Sequence, residues 1–450
     1  MPTLPEILQR AFTHPTYVPL LQDAGFFRAS ESDDGNTARP TSLRDFPFLQ
    51  KEHLLDSFSN LIRTDLNFLR SAYLSPSGGT GNTTGGMAQL YFVTDTSENR
   101  AHRARFAAML SQLGVITDED IVVNLHGGGI MYRSQELMGN LTDLAGGTEL
   151  SVGFSAPDTA VLEVVRRFRP NTLASTSTRM LQFAQHVSTL PENERVVIRK
   201  IIYTSEPLLP TREKYLQSIL SVETISSIYA SAEFGPCFAS PPARMGEKTT
   251  AYREFIFDKN VVVVEIVADD GTVIADSLAM GTSDGWGQVG EIVITSLCRF
   301  RNPLVRYQTG DIGSLQPFHG TNESAKDYLW LHLYGRSTTK SVTISGEYFD
   351  VKELENDVFN KPEYGVLDWQ AIIERIPTEE REDDMAVDRL EFRVVLKNKG
   401  DQKSLEGLKK DILDVFVGSL APVRILQVEY DELERGRLAR KVMKVVDRRS

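Results

Sequence analysis

Leu74-Ser-Pro-Ser-Gly-Gly-Thr-Gly-Asn-Thr-Thr-Gly-Gly86 is a run of glycines and small hydroxyl residues that follows an apolar stretch. Such a loop offers backbone N–H groups and hydroxyls that can surround phosphate oxygens. No Gly-Lys-Ser/Thr follows at the Walker A spacing, so it is not a P-loop of that kind. Taken singly, an ordinary flexible loop accounts for it equally well. Working outward, apolar strands alternate with helical segments up to about residue 240. Examples are the strand-like stretches 121–125, 172–176 and 197–205, the last before a helix near 211–221. This alternation predicts an α/β fold with a mostly parallel sheet covered by helices.

Upstream, Leu4, Ile7, Leu8 and Phe12 recur at helical spacing, and a polar stretch from Ser30 to Thr41 reads as a loop. Downstream, the pattern changes near residue 252. Asp269-Asp270-Gly271 lies between two β-type runs and signals a hairpin, so residues 252–335 read as a β-rich subdomain. Beyond residue 337 a small α+β unit is expected, with helices at 350–358 and 402–418 and strands at 366–376, 389–397 and 423–430. The expected division is an N-terminal body, 1–336, and a C-terminal lobe, 337–450.

With 450 residues the chain can bury more than one core. Its 41% hydrophobic and 24% charged content is that of a globular protein. A net charge of −12 argues against a broad grip on nucleic acid or an anionic membrane. Two cysteines, Cys237 and Cys298, cannot build a disulfide framework and suit a reducing, cytoplasmic setting. The first residues carry no signal-peptide pattern, and no apolar run approaches the ~20 residues of a membrane span. The seven histidines are scattered without a zinc-binding motif. Gly281-Thr-Ser-Asp-Gly285 matches a nucleophile-elbow pattern but is followed by a β-type segment, so it reads as a turn.

Three later segments give the glycine loop its meaning. Tyr229-Ala-Ser-Ala-Glu-Phe-Gly-Pro236 sets one carboxylate in a turn of small residues. Arg306-Tyr-Gln-Thr-Gly-Asp311 offers an acid for two ribose hydroxyls, and Gly335-Arg-Ser-Thr-Thr-Lys340 stands where the C-terminal lobe begins. In this order the four segments resemble the signature of the adenylate-forming superfamily, which includes acyl-CoA synthetases, luciferases and adenylation domains. Three more segments narrow the resemblance to the phenylacetate–CoA ligase branch. They are Leu43-Arg-Asp-Phe-Pro-Phe-Leu-Gln-Lys51, Tyr203-Thr-Ser-Glu-Pro-Leu208 and the closing Arg437 to Asp447.

The resemblance implies ATP-dependent activation of a small, aromatic carboxylic acid to its acyl-adenylate, then transfer to CoA. Transfer to a carrier-protein thiol, an amine or a hydroxyl is the nearer alternative. A catalytically silent nucleotide-binding scaffold is the rival from another class. Implied ligands are ATP, Mg²⁺ and CoA, and homodimers occur in the branch. Ser77, Gly78, Gly79, Thr80 and Gly81 would hold phosphates, and Ser205, Glu206 and Pro207 would line the adenine with Tyr229 near it. Glu233, within the Ala230, Ser231 and Ala232 turn, would bind Mg²⁺. Asp311 would hold the ribose, with Arg336 near ribose and phosphate, and Lys441 would bridge the acyl carboxylate and α-phosphate. His126 falls beside the expected substrate carboxylate, and Tyr132, Tyr203, Ala230 and Ser231 are the candidate pocket walls.

The chain departs from the family pattern at several positions. Asn82 stands where the phosphate loop has Lys, Ala232 where a hydroxyl precedes the metal-binding Glu, Thr338 at the hinge, and Arg440 before the lysine.

Overall fold

A computed structural model of the chain describes residues 2–26, 40–77, 90–244, 252–279, 285–318, 326–337, 341–344, 347–376, 387–416, 421–436 and 441–449. Strands Thr148–Ser151, Ile121–Asn124, Thr172–Thr176, Lys200–Thr204 and Thr224–Ser231 lie side by side in that order, all parallel. Val, Ile and Thr recur in most of them, because a pleated surface suits branched side chains. Helices Ser134–Ala145, Asp158–Phe168, Ser177–Ser188 and Pro210–Leu220 make the crossovers. The expected α/β alternation is present.

The β-rich part is not a separate sheet. Strand Gly235–Ala239 turns back antiparallel to Thr224–Ser231, and Arg253–Asp258 pairs with it at Ile256 and Ala239. From there the sheet runs through Tyr328–Arg336, Leu304–Pro317, Gly290–Ser296, Val262–Val267 and Val273–Asp276. Thirteen strands thus form one surface, five of them parallel to one another and the other eight joined antiparallel. The Asp269-Asp270-Gly271 hairpin joins the last two strands, with Gly271 at φ +85°. Sequence periodicity cannot reveal this fusion, because one backbone pairing at residue 256 carries it.

The C-terminal part has its own four-stranded sheet, ordered Val423–Gln427, Val387–Leu396, Val366–Ile376 and Val445–Asp447. Helix Gln402–Val415, capped by Asp401, buries Leu405, Leu408 and Ile412 against it. Trp369 stacks on Phe359 beside Phe392 and Phe416 in its core. Leu367, Val395, Val428, Tyr430, Leu433 and Val442 instead join a core with Leu181, Tyr215 and Leu216 of the N-terminal body. An apolar seam therefore joins the two lobes. No helix among the described residues is long and apolar enough to cross a membrane.

Candidate active site

Open α/β sheets bind ligands beyond the carboxyl ends of their parallel strands, where loops leave the sheet. Four adjacent strands of this sheet deliver the candidate residues there. Ile121–Asn124 runs into His126, Thr172–Thr176 into Ser177 and Thr178, Lys200–Thr204 into Ser205–Pro207, and Thr224–Ser231 into Glu233.

The Ser205 turn is tight: Glu206 N donates to Thr204 O at 2.9 Å, and Ser205 sits at φ +78°. A non-glycine residue in that region costs about 1–3 kcal/mol and persists where neighbours enforce it. The Glu206 carboxylate accepts from Thr178 Oγ1 at 2.8 Å and from Ser177 Oγ at 3.3 Å. Pro207 is exposed beside it.

His126 is 1% exposed, and burial lowers its pKa to about 3, so the ring is neutral. Its hydrogen bonds fix the tautomer. Asn124 Nδ2 donates to Gln135 O at 2.9 Å and to Glu149 Oε1 at 2.6 Å, leaving Oδ1 as an acceptor 3.0 Å from His126 Nδ1. Nδ1 therefore carries the proton, and Nε2 accepts from Thr204 Oγ1 at 3.0 Å. In this arrangement both ring nitrogens are engaged by the protein, and the imidazole braces the strand end that carries Ser205.

Glu233 is 4% exposed and is built by its own turn: Ser231 Oγ accepts from the N–H groups of Glu233 at 3.2 Å and Phe234 at 3.1 Å. Its carbonyl accepts from the buried Arg299 Nε at 3.0 Å. Lys51 Nζ lies 3.6 Å from its Oε1, and the Tyr307 hydroxyl bonds to the same carboxylate. Lys51 opens helix Lys51–Thr64, which is seated because Leu49 exchanges backbone bonds with Arg306 and Gln308 at 2.9 Å each. Ala230 is exposed and Ala232 is partly exposed.

Asp311 is 7% exposed and holds two partners, Tyr229 Oη at 2.6 Å and Arg336 Nε at 3.0 Å. Burial raises its pKa while Arg336 and the Tyr229 hydroxyl oppose the rise. Asp311 and Arg336 face each other across two paired strands, so the sheet register itself sets this pair. The Tyr229 ring packs among Phe234, Phe238 and Phe255, with only its hydroxyl turned to the site.

Lys441 reaches the same place from the C-terminal lobe, just ahead of strand Val445–Asp447. Burial lowers its pKa; the Glu206 carboxylate works against that fall, and Arg336 adds to it. Arg336 also acts on Tyr307, next to Glu233. Electrostatic links thus run from Glu206 to Lys441, from Lys441 to Arg336, and from Arg336 to Asp311 and to Tyr307, which with Lys51 holds Glu233.

Tyr132 lies against Gly127, within electrostatic reach of Glu206, and lines an open cavity of about 800 Å³ with Gly128, Gln135, Asn140 and Glu149. Tyr203 packs inward instead: it is 3% exposed in the core, with Arg253 over its ring at 5.4 Å. A strand alternates its faces, so Tyr203 points away from the side that presents Thr204. Ser77 is buried and donates its N–H to Leu90 O at 2.8 Å. Strands Ala72–Pro76 and Tyr91–Asp95 pair antiparallel, which brings the two ends of the glycine segment together. Gly78, Gly79, Thr80 and Gly81 lie outside the described residues, as do Asn82, Thr338 and Arg440.

Lys51, Tyr307, Arg299 and Thr178 belong to this site without having been singled out from the sequence. Lys51 had a usable signal, since it ends the aromatic–proline segment and is the only lysine there. Tyr307 lies inside the Arg306–Asp311 segment, whereas Arg299 and Thr178 carry no local signal: their roles arise from partners distant in the chain.

No protein-family model matches the chain. It is 24% identical over 193 residues to phenylacetate-coenzyme A ligase of Pseudomonas putida, a match that spans 42% of this chain and 38% of that protein's length. Its structure overlays that of 2-hydroxyisobutyryl-CoA ligase in the postadenylation state with 2-HIB-AMP. The TM-score is 0.68, over 99% of this chain and 89% of the other, at 16% identity. The chain has the fold of the adenylate-forming ligases. Against the same ligase in its thioesterification state, with 2-HIB-AMP and CoA, the overlap is 0.57 at 17% identity over 99% and 89% of the two chains.

Proposed function

We propose that the protein uses ATP to activate a small carboxylic acid as its acyl-adenylate and passes the acyl group to the thiol of CoA. The observation that supports this reading is the chain of interactions linking Glu233, Asp311, Arg336 and Lys441, which come from three distant parts of the sequence. In the first step a carboxylate oxygen bonds to the α-phosphorus and pyrophosphate leaves. In the second, a thiol sulfur bonds to the acyl carbon, AMP leaves, and the thiol proton goes to solvent or a nearby base.

Both reacting groups in the first step are anions, so the barrier is largely electrostatic, and fixed cations are what lower it. Lys441 would donate to the acid and the α-phosphate, held near them by Glu206. Lys51 supplies a cation beside Glu233 and would meet the outer phosphates, a role that suits a phosphate loop with Asn82 in place of lysine. Asp311, kept in place by Tyr229 and Arg336, would accept from the ribose hydroxyls.

Mg²⁺ would neutralise phosphate charge. Among the described residues no group of three or more His, Cys, Asp or Glu gathers for a metal. A single carboxylate such as Glu233 fits Mg²⁺, which commonly keeps several waters and takes one or two carboxylates with substrate phosphates. We assign an aromatic acid as the substrate class, on the resemblance of the opening and closing segments to the phenylacetate–CoA ligase branch. Residues from 337 onward would form the lobe that turns between the two steps.

Exchange of labelled pyrophosphate into ATP, run over aromatic and aliphatic acids, tests the first step. Exchange with an aromatic acid supports the reading, and none with any acid refutes it. Adding CoA and weighing the products then tests the acceptor; a carrier thiol or an amine replaces CoA if no acyl-CoA forms.

A further inference from the structure

Thr178, the second residue of helix Ser177–Ser188, is 6% exposed and stands between two carboxylates from different lobes. Its Oγ1 is 2.8 Å from Glu206 Oε2 in the turn of the N-terminal body. The same Oγ1 is 3.1 Å from Asp368 Oδ2 of the C-terminal lobe. A threonine hydroxyl carries one hydrogen, so it can donate to one of these oxygens at a time. The other oxygen then faces lone pairs, which in a buried setting is costly.

The two carboxylates differ in what else holds them. Asp368 is 1% exposed, and its Oδ1 already takes Lys444 Nζ at 2.5 Å and Trp369 N at 2.8 Å. Its Oδ2 accepts from Thr178, and the Arg212 guanidinium acts on the same carboxylate through space. Glu206 Oε2 has a second donor in Ser177 Oγ at 3.3 Å, and Lys441 acts on Glu206 from the other lobe. Glu206 can therefore give up the Thr178 hydrogen when another donor arrives, whereas Asp368 Oδ2 gains a partner if the hydroxyl turns to it.

We propose that Thr178 is a positioning residue that relays occupancy of the Glu206 turn to the seating of the C-terminal lobe, by giving its one hydrogen to Glu206 or to Asp368. With the turn unoccupied the hydroxyl serves the nearer carboxylate, Glu206. When nucleotide fills the turn and Lys441 or a ligand donor takes over Glu206, the hydroxyl turns to Asp368 and holds the lobe closed. No bond is made or broken except these hydrogen bonds. The relay rests on ATP binding as proposed above, yet it concerns Thr178 and Asp368, which take no part in the chemistry.

Lobe seating can be read by energy transfer between dyes on Glu163→Cys and Lys403→Cys, both exposed positions; Cys237 and Cys298 are buried and spared from labelling. In the unmodified background saturating ATP should shift the population towards the docked lobe by about fivefold or more, the usual scale of coupling between sites. Thr178→Ser keeps the hydroxyl and should retain the shift; Thr178→Val removes it and should bring the shift to within about twofold of none. A Thr178→Val protein that responds to ATP as fully as the parent overturns the relay. If Val at this site prevents folding, as circular dichroism would show, Thr178→Ala serves the same comparison. Should the parent protein fail to bind ATP by calorimetry, both the relay and the adenylation reading fall. If it binds ATP and the variants are indistinguishable, only the relay does.

Discussion

Lys51 Nζ stands 3.6 Å from Glu233 Oε1, so the start of one N-terminal helix supplies a cation beside the candidate metal carboxylate. This pair joins two segments that nothing in their spacing connects. Lys51→Met is expected to lower pyrophosphate exchange about 10²-fold, as loss of a preorganised charge partner typically does. Glu233→Gln should abolish the magnesium dependence of that exchange. Full activity of Lys51→Met at ordinary ATP concentrations contradicts this placement.

Lys441 should set an alkaline limit on adenylation. Its pKa is lowered by burial, so the charge is lost as pH rises through a value below the ordinary lysine pKa of about 10.4. Exchange rate should fall on that limb, whereas Lys441→Arg, which stays charged, should extend activity to higher pH where its longer side chain still reaches. Lys441→Ala is expected to suppress exchange by about 10²–10³-fold. A pH–rate profile for the three proteins checks all of this.

His126 makes a different prediction, because it titrates far below neutrality. Its folded pKa of about 3 lies below the unfolded value of about 6.5. Between those values the unfolded chain binds the extra proton, so this residue's contribution to stability is complete above pH 6.5 and declines as pH falls. His126→Asn should therefore show a shallower loss of stability on acidification, by about 1.4 kcal/mol per pH unit across that window. Urea midpoints of the two proteins from pH 7 to 4 measure the difference; parallel curves would mean that the ring is charged in the fold.

Gly235 holds the turn after Glu233 at φ +76°, and a Cβ there would come within 2.6 Å of an Arg299 nitrogen and 2.8 Å of His102 Cε1. Gly235→Ala should cost about 2–5 kcal/mol, from the left-handed backbone and the overpacking together. Arg299 supports the Glu233 carbonyl, so the surviving protein should also bind magnesium less well. Thermal unfolding with and without Mg²⁺ and ATP reads both effects.

Asp311→Asn should raise the KM for ATP more than that for the acid, because the Tyr229–Asp311–Arg336 group is built where the ribose is expected. Steady-state kinetics with each substrate varied in turn separates the two.

The strands at 172–176 and 366–376 were legible in the sequence to the residue, because their β-branched and apolar runs are bounded by turn residues. Asp311 and Glu233 were legible as candidate site residues through their neighbours in short motifs. Tyr203 was misread as a pocket wall because a motif names residues in order but does not say which face of a strand each takes. Thr178 and Arg299 were invisible for a related reason. Each matters through a partner brought close by sheet pairing or lobe docking, and neither has a local pattern to mark it. The single sheet that fuses the parallel and antiparallel halves was likewise hidden, since its join at Ile256 and Ala239 looks like any other pair of apolar residues.

The seam formed by Leu367, Val395, Val428, Tyr430, Leu433 and Val442 against the N-terminal body gives the two lobes a common thermal character. Parting them would wet oily surface, and water around such surface raises heat capacity. That attraction weakens on cooling. A chilled sample should thus hold more molecules with separated lobes than a warm one, and mild urea should mimic the cold.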